Sequence, residues 1–594
     1  MNSTPASPIQ NMDNEFNIID GIKPFLFPGA SNWRRHTPAQ FDILLGNAKK
    51  YMIALILFTT LSASSQTEKL IYHNIKTDVA GNIIPWFHNE PGKAWSHAIK
   101  LVWNFWDTMR LDMNGIPYYM NHQVWREGSN DPRGLGGDQF AMALSSWELL
   151  YAYTGNERIK ENMKFIADYY LSHSLSPASA EWADIPFPYN TLVYSGIYDG
   201  DMIIGKDYTQ PDKAGSFGIE LVHLYKMGSI ERYPNITDDA YLSAAVKIAN
   251  TLAKHARDGD ENTSPLPFKV NAITGEEGKL KNNNRDGRDA GLSCYTTNWS
   301  GTLELLLELQ ELNVGKVESY KKAFDIIIKW MKKYPLQNNK WGPFFEDVPG
   351  WSDTQINAVT FAQFMMNHTE YFPDWKSDTR KIFDWVYEKL GNDKWKKYGV
   401  IVVNEQTAYL QPGNSHSSRQ ASAELQYMAA TGDRYHYDNA IRQLNWATYM
   451  VDNDGKNRYP NDENWLTDGY GDYVRHFLRA MHAMPELAPS DEEHILSSTS
   501  VIGEADYPPL ADKYFGSDLG KTDVKKIRIF YSTFDTIGIE QVCLLKKPSA
   551  VILDQKPANE LKELSVEGFV WKPLKKGGIL TIRRQNSNKV IVVE

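Results

Sequence analysis

One pattern recurs along the chain between about residues 95 and 485 and constrains the fold more than any other feature. A polar loop rich in Gly or Ser leads into a helix of small and apolar residues, and after a turn a second helix carries aromatic and charged residues. The unit is clearest in "GLGGDQFAMALSSWELLYAYTGNERIKENMKFIADYYLSH", residues 134–173. Ala141, Leu144 and Tyr151 fall at helical spacing, and "TGNER" supplies the turn. The segment therefore predicts a helical hairpin.

The same unit returns several times along the sequence. It is repeated at 214–256, 296–334, 353–390 and 409–441, and single helices are predicted at 94–109 and 470–484. The recurrence spans about 55 to 80 residues, longer than solenoid repeats of about 34 to 47. We expect a closed ring of inner helices packed against an outer layer, with the loops that precede the inner helices gathered at one end.

The sequence changes character after about residue 500. Stretches such as "KKIRIFYSTFDTIGIEQVCLL" alternate in strand fashion, and "KKGG" reads as a turn between two strands. The predicted fold class is therefore mainly α, an (α/α)6-type toroid followed by a C-terminal antiparallel β-sandwich. The predicted domains are a leader and signal peptide at 1–65, the toroid at 66–490 and the sandwich at 500–594.

A segment near the N-terminus has the layout of a secretory signal peptide. "KKYMIALILFTTLSASSQ", Lys49 to Gln66, combines a basic start, about ten apolar residues and a small-residue exit. We expect a signal peptide around Lys49 to Ser65 and a periplasmic or secreted mature protein that begins near Ser64 to Gln66. The alternative is a buried helix at 52–62.

Charge and cysteine content exclude several classes of function. The formal net charge of −10 gives no basic footprint for phosphate backbones, so nucleic acid is not an expected partner. Cys294 and Cys543 are the two cysteines, which argues against a disulfide framework and a cysteine-based zinc site. No cofactor is implied, and a divalent ion is left open. Aromatic residues make up 12% of the chain, and their flat faces suit stacking on sugars as well as a core.

Helix pairs with the "GDQ...W.LLY.YTGNER" hairpin, followed by a β-domain, resemble the (α/α)-toroid carbohydrate-active enzymes of bacterial polysaccharide utilisation systems. These include toroid polysaccharide lyases and unsaturated uronyl hydrolases. The chain also looks like the oligosaccharide dehydratase of ulvan breakdown. The resemblance covers most of residues 80–594 as architecture. It implies an acidic, uronate-containing and sulfated oligosaccharide substrate, although fold alone does not fix chemistry.

Polar residues in the loops before the inner helices are the candidates for the site. In "YLQPGNSHSSRQ", residues 409–420, Asn414, His416 and Arg419 stand just ahead of a predicted buried helix. Helix N-termini favour anions, so a uronate carboxylate or a sulfate suits this end of the ring. The predicted substrate-binding residues are Asn414, His122, Arg126, Tyr198, Lys213, Trp299 and Trp465.

β-Elimination from a uronate requires a base, an acid and a group that neutralises the carboxylate. The resemblance to toroid lyases implies a set of Asn, His, Tyr and Arg. In this chain His416 and Tyr295 would transfer protons, while Asn298, Asn414 and Arg419 would hold the substrate acid. Loss of water from a uronyl residue would use the same groups with a hydroxyl as the leaving group.

Two other functions are compatible with the sequence. A hydrolase of the unsaturated uronyl type would use an Asp as acid and base, with Asp138 and Asp199 or Asp201 as candidates. A non-catalytic glycan-binding protein would need no such group. Several of the candidates also have plain structural interpretations: Asp138 as a helix cap, Arg419 as an ion-pair partner and Trp299 as core. The abundance of Tyr, His, Asn and Arg in the loops places elimination first.

Overall fold

The computed structural model describes residues 68–121, 137–187, 206–228, 238–278, 294–344, 351–460, 462–466, 469–507 and 526–594. The compact unit Thr67–Glu594 contains all of these residues. The predicted leader and signal peptide lie outside the described residues. The predicted boundary between a toroid and a β-domain near residues 490–500 stays a prediction.

The described part of the chain contains twelve helices of twelve or more residues. They are α1 (Pro91–Asp107), α2 (Gly137–Thr154), α3 (Glu157–His173), α4 (Pro211–Met227), α5 (Asp238–His255), α6 (Ser300–Glu311), α7 (Val317–Lys333), α8 (Gln355–Asn367), α9 (Trp375–Leu390), α10 (Asn414–Thr431), α11 (Tyr437–Thr448) and α12 (Tyr470–Ala483). Within the described ranges, none of the helices is both long enough and apolar enough to span a bilayer.

The even-numbered helices close into a ring. Helix α2 packs against α4, α4 against α6, α6 against α8, α8 against α10 and α10 against α12, and α12 returns to α2. The odd-numbered helices lie outside, with α3 on α2, α5 on α4, α7 on α6, α9 on α8, α11 on α10 and α1 on α12. The described helices therefore form the ring of helical hairpins that the sequence predicts.

Glycines allow neighbouring inner helices to approach backbone to backbone. A Cβ on Gly301 of α6 would lie 2.7 Å from Cα of Ser216 on α4. A Cβ on Gly218 of α4 would lie 2.6 Å from Cδ2 of Leu305 on α6. From the first contact to the second, the residue number rises on both helices, so α4 and α6 run in the same direction. This explains why the inner helices are rich in small residues.

Short elements fill the connections between the helices. The short helices are Tyr118–Asn121 and Pro335–Asn338, with 3-10 turns at Thr369–Tyr371, Asp393–Tyr398 and Pro485–Leu487. The short strands are Lys69–Leu70, His73–Asn74, Lys76–Thr77, Ile83–Ile84, Tyr208–Thr209, Val270–Asn271, Gly391–Asn392, Val402–Gln406, Tyr409–Pro412, Arg458–Tyr459 and Asp462–Leu466.

Two antiparallel sheets follow the ring. Their strands are β1 (His494–Ser498), β2 (Ile502–Asp506), β3 (Ile527–Thr533), β4 (Gly538–Leu544), β5 (Ala550–Leu553), β6 (Lys556–Pro557), β7 (Gly568–Pro573), β8 (Gly578–Arg584) and β9 (Lys589–Val593). One sheet has the order β1-β4-β8-β7 and the other β2-β3-β9-β5-β6. Strands β1 and β2 pack on α2, and Val542 and Val592 share one core with Trp147 of the ring. The predicted antiparallel sheets are thereby confirmed.

Candidate functional site

The first turns of five inner helices meet at one end of the ring. Nδ2 of Asn298, just before α6, donates to Oδ2 of Asp212 on α4 over 2.9 Å. Nη1 of Arg419 on α10 donates to Oε1 of Gln355 on α8 over 2.7 Å, and Nη2 of Arg419 binds Asp472 on α12. The convergence of inner-helix starts that the sequence predicts is therefore present, and we call this the N-terminal end of the ring.

Five buried side chains at this end form the group that we call the Asp472 cluster: His416, Arg419, Asp472, Arg475 and His476. Oδ1 of Asp472 accepts from Nε of Arg475 at 2.8 Å and from Nε2 of His476 at 3.1 Å. Burial alone would raise the pKa of Asp472, but Arg419 and Arg475 hold it well below its ordinary value. The cluster therefore contains two guanidinium groups and one ionised carboxylate.

His416 is the member of the cluster with unused hydrogen-bonding capacity. Its side chain is buried, and neither Nδ1 nor Nε2 has a hydrogen-bond partner among the described residues. Burial and, next, the charge of Arg419 lower its pKa to about 3. The imidazole is thus neutral at ordinary pH, with one N–H and one lone pair available. Burial similarly lowers the pKa of His476 to about 3.

Gly413 leaves room for the imidazole ring of His416. Gly413 immediately precedes α10, and a Cβ there would come within 2.5 Å of Nδ1 of His416. The same position is 3.4 Å from Cε1 of Tyr459, so the imidazole lies beside the backbone at a crowded point. The orientation of the ring therefore depends on the absence of a side chain at residue 413.

The predicted loop position of Asn414, His416 and Arg419 needs correction. Helix α10 begins at Asn414, so the three residues lie in its first two turns rather than ahead of it. Oδ1 of Asn414 accepts from the backbone N–H of Ser415 at 2.7 Å, and its Nδ2 donates to Asn457. Both ends of the Asn414 amide thus have protein partners.

Tyr295 and Trp299 lie away from the Asp472 cluster. The Tyr295 hydroxyl donates to the carbonyl of Lys340 at 2.6 Å, and the ring packs against Trp330 and Trp351. Burial raises the pKa of Tyr295 above its ordinary value. Trp299 is fully buried, with no face open to a ligand. The structure therefore does not bring Tyr295 next to His416, because Tyr295 turns outward toward α7.

Asn298 and Lys213 are joined through Asp212. Nζ of Lys213 donates to Oδ2 of Asp212 at 2.9 Å and to the carbonyl of Phe344 at 3.0 Å. Both predicted residues also line a cavity of about 360 Å³ on the ring axis, which we call the axial cavity. The structure thus places two predicted substrate-site residues at a real cavity.

The axial cavity opens at the end opposite to the Asp472 cluster. At its upper end Met142, Phe344 and Ile356 are buried and form a small apolar cluster of their own. At its lower end Glu148 and Glu308 are partly exposed. Arg475 lines the cavity from α12 and also belongs to the Asp472 cluster. The two features are therefore neighbours that open in different directions.

Three side chains at the lower end have the donor types of a metal site. Nδ1 of His223 lies 3.2 Å from a carboxylate oxygen of both Glu148 and Glu220, and the ligand atoms lie within 4.8 Å of one another. Burial alone would lower the pKa of His223, but the two carboxylates raise it well above its ordinary value. In this structure the group is a partly buried ion triplet, and a metal ion would have to replace the proton.

The loop residues that the sequence predicts for the site do not include this triplet. Glu220 and His223 stand one helical turn apart in the otherwise apolar run "GIELVHLY". Charged residues on a buried helix face are the signal that would have found them.

Several predicted residues cannot be compared with the structure. His122, Arg126 and Tyr198 lie outside the described residues, as do Asp199 and Asp201. Two others lie in described elements, Asp138 in α2 and Trp465 in the strand Asp462–Leu466, but their side chains are outside the described part. Their roles stay predictions.

No family model and no curated protein matches the chain. Among solved structures it is similar to a cellobiose 2-epimerase from Spirochaeta thermophila DSM 6192, with 12% identity, a TM-score of 0.49 and coverage of 66% of this chain and 96% of that one. A sugar epimerase from a ruminal bacterium is 12% identical, with a TM-score of 0.48 and coverage of 66% of this chain and 99% of that one. An unsaturated glucuronyl hydrolase specific for heparin is 10% identical, with a TM-score of 0.39 and coverage of 68% of this chain and 100% of that one. At these values the matches assign neither a family nor an activity to this chain.

Proposed function

We propose that the chain is a carbohydrate-active lyase or dehydratase that acts by β-elimination on uronate-containing oligosaccharides. The observation that carries the proposal is His416, a buried neutral imidazole whose two ring nitrogens have no partner among the described residues. The Asp472 cluster to which it belongs contains two guanidinium groups and one carboxylate, and Glu405 also acts electrostatically on Arg419. A base next to excess positive charge is what proton removal beside a carboxylate requires.

The charge of the Asp472 cluster supports an acidic substrate. Arg419 and Arg475 contribute two positive charges and Asp472 one negative charge, while both histidines are neutral. The first turns of the inner helices add the positive ends of their dipoles at the same end. A uronate carboxylate of the ulvan type fits this potential.

The proposed reaction removes a proton from one carbon and an oxygen substituent from the next. The lone pair of His416 takes the proton from the carbon next to the carboxylate, and the C–H electrons form a double bond to the neighbouring carbon. The oxygen substituent on that carbon leaves with its bonding electrons and takes up the proton that His416 has accepted, which restores the neutral imidazole. A departing hydroxyl makes the enzyme a dehydratase, and a departing sugar makes it a lyase.

Substrate binding would strengthen the base. In the free protein, burial and Arg419 hold the pKa of His416 near 3, which makes the imidazole neutral but weakly basic. An anionic carboxylate beside Arg419 offsets that positive charge and shifts the pKa of His416 upward. Proton abstraction is therefore favoured once the uronate is in place.

Three further elements of the proposal come from the sequence. The segment Lys49 to Ser65 is a signal peptide that exports the protein to the periplasm or beyond. The two C-terminal sheets pack as a β-sandwich. The physiological substrate is an oligosaccharide produced during polysaccharide degradation.

The test is product analysis on defined uronate oligosaccharides. A new ultraviolet absorbance from a conjugated double bond supports elimination, and a product lighter than the substrate by one water identifies a dehydratase. Fragments whose masses sum to that of the substrate identify a lyase. Fragments whose masses sum to that of the substrate plus one water assign a hydrolase. Binding without reaction assigns a glycan-binding protein. Either result overturns the proposal.

A matched pair of variants tests the role of the imidazole. His416→Gln should abolish turnover while the protein remains folded. His173→Gln, on the outer helix α3, should retain full turnover. Equal activity of the two variants removes His416 from the reaction.

A further inference from the structure

The axial cavity contains a buried amide without a protein partner. Gln363 on α8 is 6% exposed and lines the cavity, and neither its Oε1 nor its Nε2 has a partner among the described residues. Burying both ends of an amide unpaired costs free energy, so natural proteins rarely do it without a ligand or ordered water. The inward face of α8 thus presents one free donor and one free acceptor to the cavity.

A second polar group shares this property. Oγ of Ser300, at the start of α6, also lines the cavity, is buried and lacks a partner within the described ranges. Ser300 and Gln363 lie on different helices, so a single local distortion does not account for both. Together they supply at least two hydrogen-bond donors and two acceptors.

The remaining walls indicate the chemical class of the ligand. Carboxylates of Glu304 and Glu308 accept hydrogen bonds well, and Leu149, Ile219 and Phe364 supply apolar surface. Sugar rings combine hydroxyl groups with apolar faces and match such a lining. The volume of about 360 Å³ is near the small end of ligand pockets, which run from about 300 to 1,000 Å³.

The charge of the lining favours a neutral ligand. Four carboxylates face the cavity: Glu148, Glu220, Glu304 and Glu308. Four cationic side chains line the same walls: Lys213, His223, Arg475 and Arg479. His223 pairs with two of the carboxylates, and from outside the lining Lys226 pairs with Glu308 and His368 with Glu304. A ligand that carries its own charge would disturb this balance.

We infer that the axial cavity binds a neutral mono- or disaccharide that enters from the C-terminal end of the inner helices. The Gln363 amide and the Ser300 hydroxyl pair with sugar hydroxyls. The buried residues Met142, Phe344 and Ile356 lie at the upper end, and Arg475 is the one member of the Asp472 cluster that also lines the cavity. The inference does not depend on the reaction proposed for that cluster.

Titration calorimetry of the full chain with D-glucose, D-galactose, D-mannose and maltose tests the inference. Saturable one-site binding of at least one of these sugars is expected. Gln363→Met should lower the affinity at least tenfold, and Ser300→Ala should lower it severalfold. Absence of saturable binding, or wild-type affinity in both variants, overturns the inference.

Two controls make the result specific to the cavity. His416→Gln should bind the neutral sugar as the wild type does, because His416 does not line the cavity. A uronate oligosaccharide should not compete with the neutral sugar, and competition would overturn the assignment of a separate site. Gln363→Met removes an unpaired buried amide, so its unfolding midpoint should equal or exceed that of the wild type, which shows that lost binding is not lost folding.

Discussion

Nε of Arg475 donates to Oδ1 of Asp472 over 2.8 Å, and the same Arg475 side chain lines the axial cavity. One residue of α12 therefore joins the buried cluster at the N-terminal end of the ring to the cavity below it. Asp472 in turn holds Arg419, which places the second guanidinium beside His416. The carboxylate of Asp472 is thus the centre on which the geometry of the candidate site depends.

Removing the charge of Asp472 should destabilise the fold. In Asp472→Asn the guanidinium groups of Arg419 and Arg475 would be buried without a counter-ion. Breaking one partner of a buried ion pair typically costs about 3 to 5 kcal/mol. Urea unfolding followed by circular dichroism measures the difference.

A surface carboxylate provides the control. Asp491 forms an ion pair with Lys93, and its side chain is 58% exposed. Asp491→Asn should change the free energy of unfolding by about 0 to 1 kcal/mol. Equal losses for the two variants would contradict the central position assigned to Asp472.

Stability should fall as the pH drops below about 6.5, because His416 has a folded-state pKa of about 3. The unfolded chain binds a proton in this interval while the folded chain does not, so protonation favours unfolding. The loss is about 1.4 kcal/mol per pH unit for each such group. It is absent above the unfolded pKa and stops growing below a pH of about 3.

Chemical unfolding at several pH values measures this slope. His416→Gln should make the slope shallower by about 1.4 kcal/mol per pH unit, since glutamine does not titrate. His476, which has the same folded-state value, should continue to contribute. An unchanged slope in the variant would show that His416 is already protonated in the folded protein.

The substitution Gly413→Ala should reduce activity more than stability. The added Cβ would come within 2.5 Å of Nδ1 of His416 and push the imidazole aside. The backbone at Gly413 has φ −113°, which alanine adopts without strain. A displacement of about 1 Å in a catalytic group can lower the rate about 100-fold.

The turnover number and the unfolding midpoint of Gly413→Ala should be measured on the same preparation. Full activity would mean that the His416 ring either does not move or does not act. A large loss of stability with proportional loss of activity would point to a purely structural contact.

Close packing between inner helices should make Gly301 sensitive to substitution. A Cβ at this position meets Cα of Ser216 at 2.7 Å, so Gly301→Ala must separate α4 from α6. Overpacking of this kind typically costs about 1 to 3 kcal/mol. Thermal or urea unfolding reports the change.

Ser319→Ala, at an exposed position of the outer helix α7, is the matched control and should stay within about 0.5 kcal/mol of the wild type. A neutral Gly301→Ala would mean that the spacing of the inner ring is not set by its glycines.

The ring could be predicted from the sequence because helical spacing of apolar residues and the turns between helices are periodic, local signals. The hairpin predicted at 134–173 appears as α2 and α3, and the repeat at 353–390 appears as α8 and α9. Alternation of small-residue and amphipathic helices distinguishes inner from outer positions before any coordinate is known. The strands after about residue 500 were predicted from alternation in the same way, whereas β1 (His494–Ser498) begins before the predicted change of character.

The site was predicted less completely because side-chain direction is a tertiary property. Loop chemistry identified His416 and Arg419, but Asp472, which binds Arg419, lies in the first turn of α12, where the sequence predicted only a single helix. Tyr295 has a suitable residue type and position, yet its hydroxyl turns toward Lys340. Gln363 could not be predicted, because a single glutamine in an apolar helix gives no sign of whether it has a partner.

The apolar cluster of Met142, Phe344 and Ile356 has a consequence for long glycans. These side chains lie across the ring axis, so a polymer cannot pass through the ring from one end to the other. A glycan chain that reaches the N-terminal end of the ring must approach and leave from that same side. Such a glycan would then bind through its terminus or through a bend in the chain, and one glycan chain could not occupy both ends of the ring at once.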